Sequence, residues 1–342
     1  MEALAAAWQE LYNTTEQLHG TDHIPQTLDA LLADFGEHNT HKLQNILTKA
    51  VEKTRDDEKE QGRTATQAAR ARAAKSYGAA AALLALPTSD STTIPPEAMR
   101  FATQYRLGTA TFNARKCACG ADSPSITHIL SCKHLRGRFV RHDIIVQLLA
   151  KICIEAGFTV TTEVMVVEGR QKRMDLVIYT PGGRVWIDVS IVNPLVKSYI
   201  KEKDATKVRE TQKIDRWDKD AKRNGTRFIP FIVNTFGGLG PQAKGWLEEI
   251  ASAAMHRNIT DIDSRGISLE AWQGQYRWGL AGRIGAAIAH ANYCMVEEAK
   301  IKSEFQKAPT RILYAPVWAR GKEVHRVRSN LHRGRDLYAG GR

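Results

Sequence analysis

The sequence predicts an α/β fold of the α+β kind, with helical flanks around a core ordered helix, three strands, helix, strand. Three observations predict it. Residues 1 to 86 and the stretch after Gly240 space their apolar residues three and four apart, the period of a helix with one buried face. Between them, "TVTTEVMVVEG" and "RFIPFIVNTFGG" are short runs rich in β-branched and aromatic residues, as strands are. Finally, "RMDLVIYTPGGRVWIDVSIVNP" joins two apolar runs through Pro181-Gly182-Gly183, the punctuation of a β-hairpin.

Taken in order, residues 1 to 86 read as helical, with an all-polar centre, "EKTRDDEKEQGR", that suits an exposed helix or a flexible joint. Residues 87 to 96 form a loop, from which Pro95-Pro96 opens a short helix into "FATQYRLG". A cysteine-rich segment follows, then the amphipathic helix "RHDIIVQLLAKICIEAGF", ending at Gly157. After the three strands, a highly charged helix is expected from Ser198 to the Asn224-Gly225 stop. One more strand precedes long helices that run to about residue 300. The expected organisation is therefore a helical region (1–86), a linker with the cysteine cluster (87–135), a core (136–257), a helical extension (258–310) and a basic tail (311–342). No internal repeat is present.

The chain has 342 residues, enough for a substantial core. Lys and Arg outnumber Asp and Glu by 49 to 37, for a net charge of +12. Such an excess points to a polyanionic partner, either nucleic acid (DNA or RNA) or an acidic surface. The tail adds eight basic residues against two acids, with Tyr314, Trp318 and Tyr338 among them, a composition that suits a phosphate-contacting arm. No apolar run approaches the length of a membrane span, and Glu2 stands where a targeting peptide would carry a basic residue. A nuclear or cytoplasmic protein, not a secreted one, is the expectation. In such a compartment clustered cysteines read as metal ligands before disulfides.

"KCACGADSPSITHILSCKH" supplies Cys117, Cys119, His128 and Cys132 in a C-x-C-x8-H-x3-C spacing. Thiolates and imidazole are the donors tetrahedral Zn2+ prefers, and four filled positions leave none open, so the ion would be structural. His134 competes as a ligand. Cys153 and Cys294 stand alone and read as core residues.

Asp175 and Asp188 sit inside the two apolar runs of the hairpin, where a carboxylate costs stability unless something pairs with it. Adjacent antiparallel strands would bring the two together around one divalent cation, Mg2+ or Mn2+, the arrangement that hydrolyses a phosphodiester.

The pattern D-x12-D-V-S, preceded by a helix and a strand bearing Glu163, resembles the PD-(D/E)xK nuclease core. The longer order "CACG…THILSC…RHDIIVQLLAKICIEAGFTVTTEV…RMDLVIY…VWIDVSIVNP…FIPFIVNTFGGLG" resembles the restriction-like endonuclease region at the C-terminal end of certain non-LTR retrotransposon polyproteins. There a zinc knuckle lies just upstream. The resemblance spans roughly residues 65 to 300. It implies a restriction-endonuclease-like αβββαβ core and a metal-dependent DNA endonuclease of nicking type. Asp175 and Asp188 match the two metal-binding acids, and Glu163 a further acidic position. Arg141, in "RHD", and Arg173 match positions that would contact DNA.

The chain departs from the pattern in two places. Met174 replaces a proline, and Ser190 stands where the catalytic lysine belongs. Related enzymes borrow that lysine from the next helix, which here offers Lys203, Lys207 and Lys213. Lys213 is chosen because Trp217 follows it four residues on, and Lys207 is second. The family's polyproteins carry a reverse transcriptase, and no Tyr-x-Asp-Asp box occurs here, so the chain reads as a detached, truncated or domesticated module. Ser190 favours an alternative, a catalytically silent nucleic-acid-binding or scaffold protein. A third reading makes the core part of a larger assembly, docked through its helical ends.

Overall fold

The computed structural model describes residues 62–304, except 86, 88, 114–115 and 167–172. The helices expected before residue 62 and the basic tail lie outside the described residues. The chain divides after Thr64 into two compact units, and every element below belongs to the second, Ala65–Arg342.

Helices α1 (Ala65–Lys75), α2 (Ala81–Leu84) and α3 (Pro96–Leu107) come first. Pro96 opens α3 where its missing N–H costs nothing, and Gly108 closes it at a left-handed φ of 82°. The short α4 (Ile126–Ile129) lies in the cysteine-rich segment. Then come α5 (Gly137–Glu155), β1 (Thr159–Met165), β2 (Arg173–Thr180), β3 (Gly183–Val192), α6 (Ala205–Arg223) and β4 (Arg227–Asn234). This is the order read from the sequence. Helices α7 (Pro241–Arg257), α8 (Ile259–Ser264) and α9 (Leu269–Glu304) complete the unit. No helix among the described residues is long and apolar enough to cross a membrane.

The four strands form one mixed sheet in the order β1-β2-β3-β4. β1, β2 and β3 pair antiparallel, with Thr180 opposite Gly183 across the Pro181-Gly182 turn, so the expected hairpin is present. β3 and β4 pair parallel, which requires a crossover, and α6 provides it. Pro230 lies within β4, where an edge strand tolerates the lost N–H.

Side chains alternate between two layers. Leu176, Ile178, Val185, Ile187, Val189, Ile229, Phe231 and Val233 join the main core with α5, α7 and α9. Trp186 and Val177 face the other way, against Trp217 and Ala221 of α6. Burying each such side chain contributes roughly 1.5–3 kcal/mol, so this two-sided packing fixes which face each β3 residue presents.

Helix α6 begins at Ala205 rather than at Ser198. The Asp204 carboxylate accepts the N–H groups of Thr206 and Lys207 and so nucleates the helix there, after a run of turns at 197–201. The start of α7 is capped from outside. Its N-cap, Gly240, has no side chain to serve, and Glu210 of α6 accepts the N–H of Gln242 at 2.9 Å instead. A methyl group at Gly240 would collide with that carboxylate.

Burial pushes the Glu210 carboxyl up to about 7, with the two α7 N–H groups pulling it back only in part. A carboxyl raised in the folded state binds more protons there than in the unfolded chain. Its contribution is fully present below pH 4.5 and is lost as pH rises through 7. The Tm difference between wild type and Glu210→Gln should therefore shift against wild type across that span, by an amount corresponding to on the order of 3 kcal/mol. Melts from pH 4.5 to 8 measure it, and parallel curves would refute it.

Candidate functional site

Two centres emerge. The first is the cysteine cluster, whose four donor atoms all lie within 4.8 Å of one another. Cys117 and Cys132 Sγ are 3.7 Å apart, and Cys119 Sγ is 3.3 Å from His128 Nε2. A tetrahedral Zn2+ with Zn–S bonds of ~2.3 Å sets its sulfurs about 3.8 Å apart, so the group fits a metal such as zinc. The chain shapes the cluster through a tight knuckle. Cys117 N–H donates to Ala121 O, Gly120 N–H donates to Cys117 O, and Gly120 takes a left-handed φ of 87°. Ser125 caps α4, which carries His128, and Cys132 follows three residues after its end. His134 is not part of the group. Burial pushes the Cys117 thiol up to about 11, so a thiolate there needs a cation beside it.

The second centre is the row where β2 leaves β3. Their pairing ends at Leu176 opposite Ile187, and one step further the register sets Asp175 opposite Asp188. There the Asp175 carboxylate replaces a main-chain carbonyl, accepting the Val189 N–H at 2.7 Å. The same row on β1 holds Glu163, which takes a left-handed φ of 52° and drops out of the β1–β2 pairing. Strand alternation slips here as well, since Met174 and Val177, three residues apart, pack into one cluster.

Asp188 shares the α6 face with Trp186. A step of two along β3 covers about 6.6 Å and a step of four along α6 about 6 Å. The two therefore run in register: Trp217 packs with Trp186, Lys213 pairs with Asp188, and Arg209 bonds Ser190. Lys213 Nζ contacts Asp188 Oδ2, and both side chains are nearly buried, at 11% and 12% exposure. Burial pushes the Asp188 carboxyl up, with Asp175 adding to the rise and Lys213 opposing it. From α5, His142 Nε2 lies 3.3 Å from Asp175 Oδ2 and 3.2 Å from Val189 O, with Nδ1 3.3 Å from Asp143. Burial works to lower its pKa, but the two carboxylates outweigh that and hold it at about 10. It is thus an imidazolium at neutral pH.

The other expected residues divide. Glu163 is turned outward, 3.8 Å from Arg173, with both side chains well exposed, so it does not join the two aspartates. Lys207 is exposed in the first turn of α6, and Lys213 is the lysine that reaches an aspartate. Arg141, expected to contact DNA, is buried at 2% exposure. Its guanidinium donates to Leu130 O at 3.0 Å and to Asn292 Oδ1 at 2.5 Å, an internal tie.

Sequence reasoning missed Asn193, just past β3. Its Nδ2 donates to Thr127 O and to Ser131 Oγ, and its Oδ1 accepts from Leu195 N and Tyr105 Oη. Only its place beside Pro194, at the end of an apolar run, marked it. Arg141 and Asn193 together fasten the segment bearing His128 and Cys132 to the elements that carry His142 and Asp188.

The chain is thus a mixed α/β protein with a four-stranded sheet and a Cys3His group able to take a metal. No family model matches it. It is similar, at 26% identity over 168 residues, to the Retrotransposable element SLACS 132 kDa protein of Trypanosoma brucei gambiense. The match covers 45% of this chain and 14% of that protein's length.

If the Cys3His group holds zinc, purified protein will carry about one equivalent, and less than about half would sink the assignment. Removing the metal with a chelator, or Cys132→Ser, should lower Tm and speed amide exchange at Leu195, whose N–H depends on Asn193. Unchanged exchange there would show that the knuckle and β3 are uncoupled.

Proposed function

We propose that the chain is a metal-dependent DNA endonuclease of the PD-(D/E)xK type, nicking phosphodiester bonds, with a structural zinc knuckle and a restriction-endonuclease-like core. The observation that carries this reading is Lys213 on Asp188, with Asp175 on the adjoining strand. A lysine and two acids on one row are the groups that phosphodiester hydrolysis needs, and the lysine comes from α6, as Ser190 requires. The similarity to a retrotransposon protein supports a retroelement origin, and the net charge of +12 supports a nucleic-acid substrate.

Asp175, Asp188 and the Val189 carbonyl are hard oxygen donors of the kind that Mg2+ or Mn2+ takes, and His142 already draws two of them together. When bound, the cation supplies a polarised water and neutralises phosphate charge. The chain's own groups do the rest. Lys213 pairs with Asp188, opposing the effect of burial on its carboxyl, and offers positive charge where negative charge develops on phosphate oxygen. Asp175 is held in place by the Val189 N–H. Arg173, exposed at the start of β2, is free of the core and available to backbone phosphate.

A second reading, a silent DNA-binding protein, is favoured by Ser190 at the usual lysine position. Mg2+-dependent nicking of supercoiled plasmid separates the two. Asp188→Asn and Lys213→Ala should each reduce the rate on the order of 100-fold or more, while DNA binding persists. A wild type no more active than Asp188→Asn, with both binding DNA, would leave the binding protein as the answer. Breaking a buried ion pair can itself cost ~3–5 kcal/mol, so Tm is recorded beside each rate.

A further inference from the structure

One cation beside the acidic row has no role in the account above. Arg209 lies one helical turn before Lys213 on α6 and two residues along β3 from Asp188, over Ser190. Its Nε donates to Ser190 Oγ at 3.2 Å, and Nη1 donates to Gln212 Oε1 at 3.0 Å. Both acceptors are neutral. Among the described residues no carboxylate reaches this guanidinium, whereas Arg173, Arg223, Arg227, Arg277 and Arg283 each have one. Arg209 is also half-buried, and a partly desolvated cation is costly unless an anion neutralises it. The nearest acid on β3, Asp188, is already taken by Lys213. The Ser190 hydroxyl orients the fork, and a guanidinium held through Nε and Nη1 still has Nη2 to offer. The remaining N–H groups can donate charge-assisted hydrogen bonds to a phosphate oxygen.

We propose that Arg209, oriented by Ser190, forms a phosphate subsite that binds a backbone phosphate of the polynucleotide beside the Asp175–Asp188 row. It rests on the nuclease reading only for which phosphate it takes, because the subsite should hold DNA whether or not the bond is cut. Ser190 then has a positive task, as the anchor of an arginine, in the place where the motif would carry its own lysine.

The test is binding of the full chain to a fluorescently labelled DNA duplex, with Ca2+ replacing Mg2+, titrated across salt concentrations. Arg209→Gln should weaken binding several-fold and lower the slope of log K against log salt by about 0.9, the value of one phosphate contact. Arg209→Lys should restore the slope but not the full affinity, since it keeps the charge and loses the fork. Ser190→Ala should keep the slope and lose a few-fold in affinity. An unchanged slope in Arg209→Gln overturns the subsite, as does a loss that Arg209→Lys does nothing to repair. If wild type fails to nick while the slope change is observed, the catalytic reading falls and the phosphate subsite stands.

Discussion

Asp188 lies in the middle of β3, where pairing with β2 has just ended and pairing with β4 continues, with Ile187 and Val189 in the core on either side of it. Its charge cannot be left to water, so it must be met inside the protein. That requirement organises what surrounds it. The α6 crossover has to lie along β3 with Lys213 above Asp188, and the tryptophan pair 186 and 217 fixes that alignment one step away. Helix α6 in turn caps α7 through Glu210, and α7 packs on the opposite face of the sheet. The placement of one carboxylate thus runs through most of the layers.

The cysteine-rich segment serves the same end from the other side. Its apolar residues, Ile126, Ile129, Leu130 and Leu135, form a second core with Phe101, Tyr105 and Met295. Its polar ties run to Asn193 at the end of β3 and to Arg141 beside His142. Asn292 of α9 closes the network, donating to Thr235 O while accepting from Arg141. Buried polar groups tied together by this many hydrogen bonds favour a single arrangement, because a shift breaks several of them at once. A metal in the knuckle would therefore act on the acidic row through geometry, with no part in its chemistry.

Much of this was legible in the sequence. The hairpin was written in its Pro-Gly-Gly turn and the Cys3His group in the cysteine and histidine spacing, while the lysine–aromatic step on α6 singled out Lys213 without showing that it meets Asp188. What was not legible depended on tertiary contact. Arg141 looks like any basic residue of an exposed motif, and only the meeting of α4, α5 and α9 shows it buried. Glu163 has the right position in its strand, but a left-handed backbone at that residue turns its side chain outward. The start of α6 was misread because a run of charged helix formers extends past its real cap, Asp204. Arg209 carries no local signal and Asn193 only its place beside Pro194, since each gains its meaning from partners outside its own element.

The row holding Asp175 and Asp188 continues outward to Glu163 on one edge strand and Pro230 on the other. Each edge is spoiled at that level, by a kinked residue that leaves the ladder on β1 and by a residue with no N–H to donate on β4. Both features disfavour a strand from another molecule lying flat along that edge, as is common at the edges of natural sheets.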